Sequence, residues 1–78
     1  MNKKRKEELD DIISGMQGLR DRLQDVADDE QEAFDNMPEN LQCSERCEQM
    51  EQNASDLYDV VDDFDRVIEA IEDILDSN

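Results

Sequence analysis

Apolar residues in this chain recur at alternating steps of three and four. One stripe starts at Leu9 and runs through Ile12, Met16, Leu19, Leu23, Val26, Glu30, Ala33 and Met37, apolar at eight of nine positions. A second runs through Cys43, Cys47, Met50, Ala54, Leu57, Val61, Phe64, Ile68, Ile71 and Leu75, apolar at every position. This alternation keeps one side of a helix apolar, whereas a strand needs period two. The pattern predicts two long amphipathic helices with coiled-coil-like seams.

The two stripes are out of phase. Continued past Met37, the first would place Asn40 and Ser44 in the core, and both are polar. The shift coincides with Asn36-Met37-Pro38-Glu39-Asn40. Pro38 has no amide donor and steers Met37 away from helical geometry, and the flanking Asn residues favour turns. The expected organisation is a first helix at about 4–35, a turn at about 36–41 and a second helix at about 42–76. Either Ser44 caps the second helix or Pro38 opens it. Helices of matched length around a short turn imply an antiparallel hairpin, and the whole chain, 1–78, reads as that single all-α domain.

The apolar surface is wider than a two-helix seam requires. Ile13, Ala27 and Phe34 lie beside the first stripe, and Tyr58, Val60, Val67 and Ile74 beside the second. Gly15 and Gly18 each weaken the first helix by roughly 1 kcal/mol relative to Ala, and they permit close approach by another helix. A small chain with a wide apolar face is expected to dimerise into a four-helix bundle.

Charge adds the second theme. The 78 residues hold 24 Asp and Glu against 8 Lys and Arg, for a net charge of −16. Six of the bases fall within residues 1–22, among them Lys3, Lys4, Arg5 and Lys6. The hairpin brings that basic end beside Asp73 and Asp76, where each cluster offsets the other's unfavourable placement on its helix dipole. Such a surface repels nucleic acid and anionic lipid, so direct binding to either is not expected. No apolar run is long enough for a membrane span, and the expectation is an intracellular protein.

Little suggests catalysis. The chain has no His, and no Gly-rich phosphate loop follows a strand. No cofactor is expected. Asp59, Asp62, Asp63 and Asp65 suggest a calcium loop, but the segment has no Gly and carries the seam residues Val61 and Phe64. Metal binding is therefore not expected. Cys43 and Cys47 make half of a zinc site with nothing to complete it, and they read as small buried hydrophobes. Lys3–Lys6 reads as a solvated helix start, and Tyr58 and Phe64 as core.

The acidic surface is more distinctive. From Asp56 to Asp76 there are nine acids and one base. Over about 31 Å of helix that is roughly one carboxylate per 3.5 Å, close to the phosphate spacing of about 3.4 Å along a DNA strand. Fourteen of the 24 acids are Asp. Asp is a poorer helix former than Glu, but it holds charge close to the backbone. The candidate partner-binding residues are Asp56, Asp59, Asp62, Asp63, Asp65, Glu69, Glu72 and Asp73, extended on the first helix by Asp25, Asp28, Asp29, Glu32 and Asp35.

Asp28 to Gln52 resembles a group of small acidic two-helix proteins of bacteriophage and prophage genomes. In that group a similar Asn-x-Pro-Glu-x-Leu-Gln segment, here Asn36, Pro38, Glu39, Leu41 and Gln42, separates two charged helices. The match covers about a third of the chain and concerns the turn; the two Cys lie outside the pattern. The resemblance implies a viral origin and action in the host cytoplasm, and it brings no activity with it. Together these features suggest a non-enzymatic protein that imitates nucleic acid and blocks a basic bacterial partner, such as a nuclease or a defence complex. The alternative is a structural oligomerisation or adaptor module of a viral assembly, with acidity serving solubility alone.

Overall fold

The structure is a computed structural model that describes residues 1–41 and 44–78. Helix α1 spans Lys3–Asp35 and helix α2 spans Glu45–Asp76, with a 3-10 turn at Glu39–Leu41 between them. Among the described residues there is no strand. The two helices lie side by side in a rod whose Cα atoms extend 60 × 16 × 13 Å.

Local chemistry explains the ends. Asn2 caps α1, its side chain accepting a hydrogen bond from the Arg5 amide at 2.9 Å. The helix stops at Asn36, whose amide reaches back to the Glu32 carbonyl, and Met37 then donates to the Phe34 carbonyl. Pro38 follows immediately, as its missing donor requires. Ser44 caps α2, accepting from the Cys47 amide at 3.2 Å. Of the two starts left open by the sequence, the serine cap is the one used. Helix α2 therefore begins at Glu45 rather than near residue 42. Gln42 and Cys43, the expected start and the first seam position, lie outside the described residues.

The seam on α2 follows its stripe. Cys47, Ala54, Val61 and Ile68 are buried, and Met50, Leu57, Phe64, Ile71 and Leu75 are half-buried. On α1 half of the expected stripe is wrong. Leu9, Met16, Leu23, Glu30 and Met37 are half-buried as expected, but Ile12, Leu19, Val26 and Ala33 are exposed. Their places are taken by the next residue in each case: Ile13 and Ala27 are buried, and Arg20 and Phe34 half-buried. The row at 9, 16, 23, 30 and 37 belongs to both possible frames, so a one-residue change in its companion row rotates the helix without losing it. Ala27, fully buried, leaves room for the neighbouring helix, and Arg20 finds a carboxylate across the seam.

The basic end meets the end of α2, although not as an ion-pair cluster. The Lys6 ammonium donates to the Asn78 carbonyl at 2.9 Å, and the Met1 amino group to Asn78 Oδ1 at 3.1 Å. Among the described residues, Asp73 and Asp76 form no ion pair with Lys3–Lys6.

Candidate interaction surface

The hairpin has two unlike sides. Its back seam is closed by polar contacts between the helices. Arg20 grips Asp65 with two hydrogen bonds, Nε to Oδ1 at 2.9 Å and Nη2 to Oδ2 at 3.2 Å. Further along, the Tyr58 hydroxyl donates to Asp28 Oδ1 at 2.6 Å, and Gln24 donates to the same oxygen at 3.0 Å. Both bridging pairs have residue numbers that add to about 85, so they set one antiparallel register.

These contacts shift the groups involved. The hydrogen bond to Asp65 does most to raise the Arg20 pKa, against an opposing desolvation. Hydrogen bonds from Tyr58 and then Gln24 hold the Asp28 carboxyl below its ordinary range. The same bond to Asp28, with partial desolvation and the nearby charges of Asp28 and Asp35, pushes the Tyr58 phenol up. The Asp28 contribution to stability is thus present above the ordinary Asp range and lost as pH falls through the lowered folded value. The Tyr58 contribution is present below the ordinary phenol range and lost as pH rises through the raised folded value. The chain has one Tyr, so alkaline absorbance titration reads this contact alone. Its midpoint should lie above that of free tyrosine and fall back toward it in Asp28→Asn. An unchanged midpoint in that variant would mean that the bridge does not form in solution.

The front of the hairpin is open and apolar. Ile12, Leu19 and Val26 on α1 and Val60, Val67 and Ile74 on α2 are between 40% and 53% exposed. Between these rows lie two hollows that share Phe64. One, of about 540 Å³, is lined by Leu19, Leu23, Val26 and Phe64 with Arg22 and Asp25 at its lip. The other, of about 230 Å³, is lined by Met16, Val60, Phe64 and Val67 with Asp63. Sequence reasoning noticed the surplus apolar residues but placed the α1 row inside the seam. Spacing does not single it out, because the Ile13, Arg20, Ala27 and Phe34 row has the same seven-residue repeat.

All thirteen candidate acids are exposed. They do not form a single line. On α2 they follow successive rows around the helix, from Asp65 and Glu72 near the back seam, through Asp62 and Glu69, then Asp59 and Asp73, to Asp56 and Asp63 toward the front. The spacing of one carboxylate per 3.5 Å is therefore an axial average over a broad band. Three members are already engaged: Asp65 with Arg20, Asp63 with Arg66 at 3.2 Å, and Asp28 with Tyr58. Asp35 and Asp56 accept from Gln31 and Gln52 one turn earlier. Asp59, Asp62, Glu69, Glu72 and Asp73 have no cation within ion-pair distance among the described residues. Asp25, Asp29 and Glu32 are likewise outside every ion pair there.

Among the described residues no group of three His, Cys, Asp or Glu converges in a way that could hold a metal ion. Cys47 is fully buried, while Cys43 lies outside the described residues. No helix is long and apolar enough to cross a membrane. Comparison with protein families, with curated proteins and with solved structures gives no match.

Proposed function

We propose that this is a non-enzymatic, phage-type interaction protein whose acidic surface imitates nucleic acid and blocks a basic bacterial protein in the host cytoplasm, such as a nuclease or a defence complex. The observation that carries the reading is the band of exposed, largely unneutralised carboxylates on α2, presented by a stiff helix. The rod's 60 Å length corresponds to about 18 base steps of duplex DNA. A basic groove built for phosphates would meet carboxylates over a comparable distance. Complementary charge makes such an association fast and strongly salt-dependent. In this reading the hairpin dimerises into a four-helix bundle, with its apolar front inside and its acids outside.

A partner recovered from bacterial lysate only at low salt, and then displaced competitively by duplex DNA or guide RNA, is the expected result. Replacing Asp59, Asp62, Asp63 and Asp73 together by Asn should weaken capture at least tenfold while helicity is retained. Simultaneous binding of nucleic acid and this protein, with unchanged affinity in the Asn variant, would remove mimicry. The open apolar front favours one alternative, a structural adaptor that docks on a viral assembly protein. In that case Leu19→Glu, and not the Asn variant, would abolish partner binding.

A further inference from the structure

The open front has a two-fold pattern. Ile12, Leu19 and Val26 are spaced by seven, as are Val60, Val67 and Ile74. In the register set by the Asp28–Tyr58 bridge, Ile12 lies level with Ile74, Leu19 with Val67, and Val26 with Val60. Leu19 is also the midpoint of α1, which spans Lys3–Asp35. A half-turn about an axis level with Leu19 and Val67 therefore lays each apolar row onto itself. A self-complementary patch of this kind is what an isologous interface requires.

The exposed area is of the size that a second copy would cover. The chain has an accessible surface of 5784 Å², whereas a compact folded chain of 9.1 kDa exposes about 4,900 Å². The surplus, about 900 Å², matches the roughly 800 Å² that each partner contributes to a standard stable interface. The glycines agree. A Cβ added at Gly15 or Gly18 would meet nothing within 4 Å, so packing within the hairpin does not require either residue. Gly15 shares its seven-residue row with Arg22 at the front's edge.

Two face-to-face arrangements satisfy the apolar rows. With both turns at one end, α1 lies on the other copy's α2, and the two Lys3–Lys6 clusters are crowded together. With the turns at opposite ends, α1 lies on α1 and α2 on α2, all antiparallel. Lys3–Lys6 of one copy then come level with residues 32–35 of the other, which include Glu32 and Asp35. Arg22 comes level with Met16, one residue from Gly15, and Asp63 with Ile71, one residue from Ala70. Glu8 and Glu30 are like-charged residues that this arrangement also brings level. The polarised charge of α1, basic at Lys3–Lys6 and acidic from Asp25 to Asp35, favours the second arrangement.

We propose that two copies pack front to front with their turns at opposite ends, about a two-fold axis passing level with Leu19 and Val67. The proposal rests on the dimer reading above and specifies its geometry. It sets each Lys3–Lys6 cluster beside the other copy's Glu32 and Asp35 at both ends of the rod, with the α2 acids outside.

The test is disulfide trapping in a Cys43→Ser, Cys47→Ala background, with helicity checked by circular dichroism and assembly by sedimentation. Leu19→Cys should cross-link to itself on mild oxidation, and so should Val67→Cys. Val26→Cys should remain uncross-linked alone and link when mixed with Ile12→Cys. If Leu19→Cys links only when mixed with Val67→Cys, the turns lie at the same end. That outcome overturns this geometry and leaves the dimer intact. A helical monomer in sedimentation overturns both, without bearing on the nucleic-acid competition. Should the Cys-free background lose helicity, Leu19→Glu in the natural chain decides the matter. Retained helicity with loss of the dimer supports the front-face interface, and an unaltered dimer overturns it.

Discussion

Ile13→Ala should destabilise the hairpin by about 2–5 kcal/mol, and Ile12→Ala should leave the hairpin's own packing almost untouched. The two residues are adjacent and identical, so the comparison isolates position. Ile13 is 8% exposed and Ile12 43%. A chain of this length has a total stability of about 4–12 kcal/mol, so the Ile13 variant should lose a large share of it at every protein concentration. Loss of the three outer carbons of a half-exposed isoleucine within one hairpin is worth about 0.5 kcal/mol or less. If a second copy covers Ile12, its removal appears instead as a lower Tm at concentrations where the natural chain is dimeric and as a weaker dependence of Tm on concentration, because association and folding are linked. Thermal melts over a range of concentrations separate the two effects. Equal losses at both positions in dilute solution would return the seam to the Ile12 row.

Raising salt from about 0.01 M to about 1 M, which shortens the screening length from about 30 Å to about 3 Å, should raise the melting temperature by roughly 5–10 °C. Folding draws 24 acids and 8 bases onto one narrow rod, and most of the acids have no cation beside them. Screening relieves that crowding more than it weakens the few ion pairs, of which Arg20–Asp65 is the bidentate bridge between helices. A melting temperature that falls with salt would mean that the attractive pairs outweigh the repulsion.

Helix α2 was readable from its residues because only one 3-4 frame there is apolar throughout, from Cys47 to Leu75. On α1 two frames share the row at Leu9, Met16 and Leu23, and hydrophobicity alone chooses between their companions. It prefers Ile12, Leu19, Val26 and Ala33 to Ile13, Arg20, Ala27 and Phe34, and so chooses wrongly. What decides the matter lies far along the chain. Arg20 belongs in the seam because Asp65 receives it, at a separation of 45 residues. Caps were legible where a serine precedes the helix and missed where Asn2 stands beside the chain's first residue. The candidate acids were found on composition and are all exposed. Their spread around α2 was hidden because axial spacing counts carboxylates without regard to azimuth.

The polar bridges at the back also bear on a degeneracy of heptad sequences. Two helices with apolar residues every seven positions can slide past each other by one repeat and bury nearly the same surface, limited only by the reach of the turn. Hydrophobic burial is non-directional and does little to forbid such slipped states. Arg20–Asp65 and Tyr58–Asp28 each join the two helices at a single offset, so a slide breaks both at once. They act as alignment pins, adding discrimination between nearly equivalent packings where they add little to total stability. A chain carrying Asp65→Asn together with Tyr58→Phe should therefore remain helical while populating several axial offsets, seen as broadened distances between spin labels on the two helices.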